Sequence, residues 1–299
     1  MHTVFRVRDI NEIDNNKLYQ VDLELTADDD EQLQRLTEYI RKEIKPGTEW
    51  QRLGSLLLKT GHFDKAEELY KVLLEQPSNE SDQALYYNNR GSLKNNQGDY
   101  EQAIEYYETA LEILEKTLPA NHPHLATSYN NIGLVYMNTG DYSKARSFYE
   151  KALEVFENTL LANHPNLATS YSNIGNLYFS IAEYSKALSF YEKALGIQEK
   201  TLPADHPSLA TSYNNIGLVY KNMGEYLKGL TFSEKAFEIL EKPLPANHPS
   251  LTTFYNNIGL MHYNMKEYSE ALSYFKRTWN VHKVLSLPNR PRLKSVNNY

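Results

Sequence analysis

The stretch TLPANHPHLATSYNNIGLVY, Thr117 to Tyr136, decides the reading of this chain because it returns three times. TLLANHPNLATSYSNIGNLY begins at Thr159, TLPADHPSLATSYNNIGLVY at Thr201 and PLPANHPSLTTFYNNIGLMH at Pro243. His122, His164, His206 and His248 therefore lie 42 residues apart. A fixed period of this length marks a repeat array, in which each unit packs mainly on its neighbours.

Within one unit, Tyr129, Ile132, Gly133 and Tyr136 fall at helical spacing and form one apolar stripe. Tyr142, Ala145, Tyr149 and Ala152 mark a second helix. Gly133 and Ala145 are small enough for two antiparallel helices to approach closely, and the tyrosines fill the space around them. Gly140 falls in the turn between them, where a positive φ costs glycine little. The same register runs through Tyr171, Ile174, Gly175 and Tyr191, then through units led by Tyr213 and Tyr255. Upstream it is met at Tyr87, Gly91, Gly98 and Tyr107, and first at Trp50, Leu53, Gly54 and Tyr70. Core packing of this kind accounts for much of the chain's 24 Tyr, so an aromatic binding box is not required. Arg90 stands where later units carry Ile132, Ile174, Ile216 and Ile258, which predicts looser packing in the second unit.

The pattern large–x2–L/I–G–x2–Y, then A–x3–F/Y–x2–A, resembles the tetratricopeptide repeat from Trp50 to about Lys283. The 42-residue variant with NHP and YNNIG is similar to the repeats of kinesin light chains. The resemblance implies an all-α, right-handed superhelical solenoid of about six helix-turn-helix repeats over residues 50–285. It also implies that the first helices line the concave surface.

The ends read differently. In VFRV (Val4–Val7) and LYQVDLEL (Leu18–Leu25) apolar and polar residues alternate, the period of half-buried strands, with INEIDNNK as a loop between them. Residues 1–26 are expected to form a β-hairpin that either leans on the following helices or closes an upstream domain. HTVFRVRDINEIDNNKLYQVDLELT resembles the closing strands of arginine-specific mono-ADP-ribosyltransferases. That resemblance implies a catalytic Glu-x-Glu lying before Met1, so none of its catalytic residues falls in this chain. Residues 27–49 read as an acidic cap (Asp28–Glu31), the amphipathic helix EQLQRLTEYIRKEI and a KPG break. Residues 286–299, SLPNRPRLKSVNNY, read as a flexible tail without an amphipathic capping helix. An uncapped last repeat exposes apolar surface, and weak self-association through it is the expectation.

Composition excludes several classes. A net charge of −7 provides no basic field for nucleic acid. No apolar run approaches the ~18–20 residues of a membrane helix, and MHTVFRVRDINE has no secretory apolar segment. The chain has no Cys, which removes disulfides, thiolate–zinc sites and cysteine nucleophiles. The cytoplasm is the compartment left. No phosphate-cradling loop or nucleophile set is present, so catalytic and cofactor residues are assigned to none.

The histidines read as punctuation. Asn121, Asn163, Asp205 and Asn247 precede them as helix caps, with Pro in the first turn. A metal is not assigned: equivalent His residues are separated by at least a helix packing distance of ~8–10 Å, whereas zinc ligands lie ~2 Å from the ion.

The asparagines are the candidate site. Thr127, Asn131, Leu134 and Asn138 form a second stripe, repeated with Asn173 and Asn176, Asn215 and Asn222, and Asn257 and Asn264; Asn130, Asn214 and Asn256 flank it. Each amide offers a donor and an acceptor, so a ladder of them can pair with the backbone of an extended peptide. The alternative is that they bond to one another between repeats and hold the curvature. Leu134, Met137, Phe179, Leu218 and Tyr263 lend the face apolar character, and Lys221 is its cation. The position before the second Asn carries Asn or Ser, without the Lys of carboxylate-clamping arrays.

The leading reading is a non-catalytic protein–protein interaction scaffold holding a partner peptide. Two alternatives stand beside it: the C-terminal part of an NAD-dependent arginine mono-ADP-ribosyltransferase, and a cargo adaptor of the kinesin light chain kind. Residues 1–49 lack the sustained heptads by which such an adaptor joins a motor.

Overall fold

The computed structural model describes residues 5–14, 18–25, 49–59, 61, 63–75, 79–242, 244 and 248–285. The helix expected after Asp28 and the 286–299 tail lie outside them. The chain divides into two compact units, Met1–Val72 and Leu73–Tyr299, and the division falls inside a helix.

In the first unit β1 (Phe5–Asp14) pairs antiparallel with β2 (Leu18–Leu25), Phe5 opposite Leu25 and Ile10 opposite Val21. INEID is strand here, where the sequence reads as loop. The pairing shifts register between Val7 and Asp9 and again between Glu12 and Asp14. Each irregularity resets the alternation of faces, which hides the strand from a search for strict period two. Helix α1 (Glu49–Lys59) follows, then α2 (Phe63–Glu75). Gly54 on α1 leaves the space that the Tyr70 ring of α2 fills.

In the second unit the helices come in pairs: α3 (Glu80–Gln97) with α4 (Tyr100–Thr117), α5 (Pro123–Thr139) with α6 (Tyr142–Thr159), and α7 (Pro165–Ser180) with α8 (Tyr184–Thr201). The last two pairs are α9 (Pro207–Asn222) with α10 (Tyr226–Glu241), and α11 (Thr252–Asn264), entered through the 3-10 turn Pro249–Leu251, with α12 (Tyr268–Leu285). With α1–α2 counted as repeat I, these are repeats II to VI. Each pair also packs on the next, which makes this unit a solenoid.

The turns and the notches explain the pairing. One or two residues after each of these first helices the backbone turns left-handed: Gly98, Gly140 and Gly224 at φ near 80°, but Ala182 at 60° and Lys266 at 66°. Inside the pairs, a Cβ on Gly91, Gly133 or Gly175 would lie within 2.6–2.7 Å of the ring of Tyr107, Tyr149 or Tyr191. The glycine is thus a notch for the ring, and those rings are almost fully buried. Tyr142, by contrast, is exposed and fills no core.

Between repeats, Tyr129, Tyr171 and Tyr213 donate to Glu115, Glu157 and Glu199 on the preceding second helix, at 3.2, 2.8 and 2.7 Å. Lys151, Lys193 and Lys235 lie over the same tyrosine rings. Arg90 settles by a different route: its guanidinium lies 4.2 Å from the ring centre of Tyr106, and Nη2 donates to that hydroxyl at 2.7 Å.

Candidate functional site

The helix starts correct one assignment. His122, His164, His206 and His248 are themselves the caps, each accepting at Nδ1 from the backbone N–H two residues on, at 3.1–3.2 Å. Pro follows at the first helical position, where its missing N–H costs nothing. Asn121 sits one residue outside the cap, exposed. An imidazole so used has its Nδ1 engaged with backbone. Among the described residues no cluster of three His, Cys, Asp or Glu could hold a metal ion.

The first helices of neighbouring repeats touch at II–III, III–IV and V–VI, and the asparagines lie along that seam. Asn131 Nδ2 donates to Asn88 Oδ1 at 3.2 Å, Asn138 to Asn95 at 2.8 Å, and Asn257 to Asn214 at 3.3 Å. These are spans of 43 residues: an asparagine in one repeat reaches the position one residue earlier in the repeat before. A second set spans 40 residues, Asn88 Nδ2 to Ser128 Oγ at 3.4 Å and Asn130 Nδ2 to Ser170 Oγ at 2.7 Å. Asn130, Asn214 and Asn257 are buried in these ties.

The ladder breaks in the middle. Ser172 stands in repeat IV where its neighbours have Asn130 and Asn214, and its side chain is too short to span the seam. Ser212, the partner it would have held, donates instead to Gln198 Oε1 at 2.5 Å. Asn173 does not bond Asn130, whose Oδ1 is buried without a partner. Among the described residues, Asn173 and Asn215 make no side-chain hydrogen bond although both are half-buried. Exposed Asn256 makes none either. Asn222 and Asn264 turn back onto the carbonyls of Leu218 and Leu260, and Asn176 accepts from Tyr191 at 2.7 Å.

Two successive first helices therefore present, in the same register, a half-buried amide with donor and acceptor unspent. Lys221 lies six residues beyond Asn215, half-buried, and burial holds its ammonium below the usual lysine range. Burial also raises the phenols of Tyr171 and Tyr213 to about 12, helped by their hydrogen bonds to Glu157 and Glu199. Two shallow clefts of about 400 and 330 Å³ recur 42 residues apart beside Lys193 and Lys151, and none of the ladder asparagines lines either.

The partners of the ladder, Asn88, Asn95, Ser128 and Ser170, and Gln198, which engages Ser212, were not singled out from sequence. For the serines the signal was available: Ser recurs at 128, 170 and 212 before Phe takes the place at 254.

A family profile described as tetratricopeptide repeat matches residues 82–158, 125–200 and 208–281, and a second of that description matches 49–84. No curated protein matches the chain significantly. Among solved structures, the chain is similar to the putative kinesin light chain from Podosopora anserina with nearly identical TPR-like repeats. That match has 21% identity over 70% of this chain and 99% of that one, with a TM-score of 0.60. BtubC (BKLC) from P. vanneervenii matches at 20% identity over 84% of this chain and 98% of its own, with a TM-score of 0.64. The apo form of RapI matches at 17% identity over 85% and 71%, with a TM-score of 0.61. At these identities the likeness is one of fold.

Proposed function

Since this chain belongs to the tetratricopeptide repeat family, we propose that it is a non-catalytic interaction scaffold holding a partner peptide along its first helices, centred on Asn173 and Asn215. One observation carries the reading: the inter-repeat ladder is interrupted there, leaving two half-buried amides without partners. A half-buried polar group gains from a ligand that satisfies it. The backbone of an extended chain offers the alternating donors and acceptors that two such amides can meet. Asn138, Asn176, Asn222, Asn256 and Asn264 flank this centre on exposed positions. Asn130, Asn131, Asn214 and Asn257 serve first as ties between repeats.

Repeat arrays of this family are generally non-enzymatic, and among the described residues no helix is long and apolar enough to cross a membrane. The cytoplasm is the compartment proposed with this reading. A cargo adaptor of the kinesin light chain kind would use the same face.

The test is a selection of displayed peptides on the wild-type chain, followed by affinities for two variants of intact helicity. Asn173→Ala with Asn215→Ala should weaken the selected peptides by about tenfold or more, since each lost bond is worth about 1 kcal/mol. Asn131→Ala with Asn257→Ala should lower stability and leave affinity near wild type. Equal affinity for the first variant and the wild type, or a selection that yields no binder, would overturn the assignment.

A further inference from the structure

One face of the second helices carries a charged motif that repeat IV alters. Repeat III reads Lys151, Glu154 and Asn158 there, and repeat V reads Lys235, Glu238 and Lys242; α8 reads Lys193, Gly196 and Lys200. Residues three and four apart are neighbours on a helix surface. Repeat V therefore sets a carboxylate between two ammonium groups, and repeat IV keeps both lysines without it. Neither Lys193 nor Lys200 forms an ion pair among the described residues.

Packing does not account for Gly196. It lies in the interior of α8, and a Cβ built on it would meet nothing within 4 Å, whereas Gly133 and Gly175 make room for a ring. A glycine in mid-helix weakens the helix, so this one lowers stability with no gain in packing.

A second departure from the repeat lies at the same place. Lys193, Gly196 and Lys200 line the cleft of about 400 Å³ together with Ala162, Asn163 and Glu192. Next to Ala162, Leu161 stands where other repeats have Pro119, Pro203 and Pro245, and it is 79% exposed. The turn itself is unchanged: the His164 N–H donates to the Leu161 carbonyl as those of His122 and His206 donate to Pro119 and Pro203. Leucine here gives up a stiffer turn for an open apolar side chain. In the matching cleft of repeat III one lysine faces one glutamate, Lys151 and Glu154, whereas two lysines outnumber Glu192 in repeat IV. Lys193 is also held over the rings of Tyr171 and Phe190, at 5.3 and 5.2 Å.

We propose that this cleft takes an acidic peptide segment of a partner protein. Its carboxylate enters between Lys193 and Lys200, where repeat V has Glu238, and a neighbouring apolar side chain lies against Leu161. Charge-assisted contacts of this kind are stronger than neutral ones. None of the ladder asparagines lines the cleft, so this is a second point of attachment that stands or falls independently of the first.

The probe is acetyl-Leu-Glu-Leu-amide, followed by the backbone amide shifts of Ala162 and Ile197, which line the cleft in every variant. Saturable shifts are expected in the wild type, with binding about tenfold weaker in Gly196→Glu and for the uncharged acetyl-Leu-Gln-Leu-amide. Leu161→Pro should weaken binding by about threefold, the loss of one apolar contact. Both substitutions install residues the array uses elsewhere, so urea midpoints should hold or rise. Asn173→Ala with Asn215→Ala should leave the shifts as they are. The proposal is overturned by the absence of saturable shifts in the wild type, or by equal binding in Gly196→Glu. It is equally overturned if the Gln peptide binds as well as the Glu peptide, if sodium acetate alone moves the amides as far, or if the double asparagine variant abolishes the shifts.

Discussion

Ten residues occur twice, identically: TSYNNIGLVY at Thr127–Tyr136 in α5 and at Thr211–Tyr220 in α9. Their surroundings give them different work. Gly133 receives the Tyr149 ring, whereas Gly217 faces Ser233, and a Cβ on Gly229 would lie 2.9 Å from the Gly217 carbonyl. Repeat III closes with a ring in a notch; repeat V closes backbone on backbone and leaves Ser233 Oγ buried without a partner. The polar residues diverge as well. Ser128 accepts from Asn88 while Ser212 donates to Gln198, and Asn131 holds Asn88 while Asn215 holds nothing. In this array a side chain's role is set by a residue about 16 or 40 positions away, as much as by its own identity.

The largest test of that contrast exchanges the fillings. Tyr149→Ser places the repeat V residue in repeat III without the closer helix approach, and should cost about 3–5 kcal/mol, the range of large-to-small core changes. Ser233→Ala removes only an unpartnered hydroxyl and should be neutral or stabilising. Urea midpoints for the two variants check both. A Tyr149→Ser cost near zero would show that the ring does not hold the pair.

A smaller effect sits in the turns, where repeats III and IV hold the same left-handed backbone with different residues. Ala182 takes the left-handed conformation that Gly140 takes freely, and for a residue with a Cβ this costs roughly 1–2 kcal/mol. Ala182→Gly should raise stability by about 1 kcal/mol, and Gly140→Ala should lower it similarly. Nothing lies near the Cβ that Gly140 would acquire, so the difference is conformational. Paired thermal melts measure it.

The smallest effect at neutral pH is the alkaline one. Burial raises the phenols of Tyr107, Tyr149 and Tyr191 above their ordinary value of 10.0, and Tyr171 and Tyr213 reach about 12. The folded chain keeps these protons where the unfolded chain releases them. Their contribution is whole below pH 10 and falls as pH rises from there through 12. Tyr149→Phe should therefore flatten the loss of stability above pH 10, while a change at Ser233 should not. The slope of denaturation midpoint against pH is the observable.

How much of this was legible follows from the same contrast. The solenoid was legible because Gly133, Tyr149 and Gly140 state a notch, its filling and a turn in one 42-residue frame that returns. The hairpin's first strand was hidden beyond Val7 because two register shifts erase its alternation. The caps were displaced by one residue, since an imidazole Nδ1 two bonds from Cβ reaches the same N–H that an Asn side chain would. The asparagine face was visible, but its division into ties and open amides was not. That division depends on Ser172, a substitution on a neighbouring helix that only a packed structure brings opposite Ser212.

The twin decapeptides carry a cost during folding. Either could dock on α6 or on α10, because both present the same stripe. What selects the right partner is tether length: α6 starts three residues after α5 ends, and α10 starts 87 residues after it. Closing the longer loop costs about 3 kcal/mol more by loop-closure entropy, and the short loop also closes sooner. That advantage exists only within one molecule. In a concentrated refolding mixture a neighbour's helix competes with none of this penalty from the chain, so exchange of helix pairs between molecules is the misassembly this sequence invites.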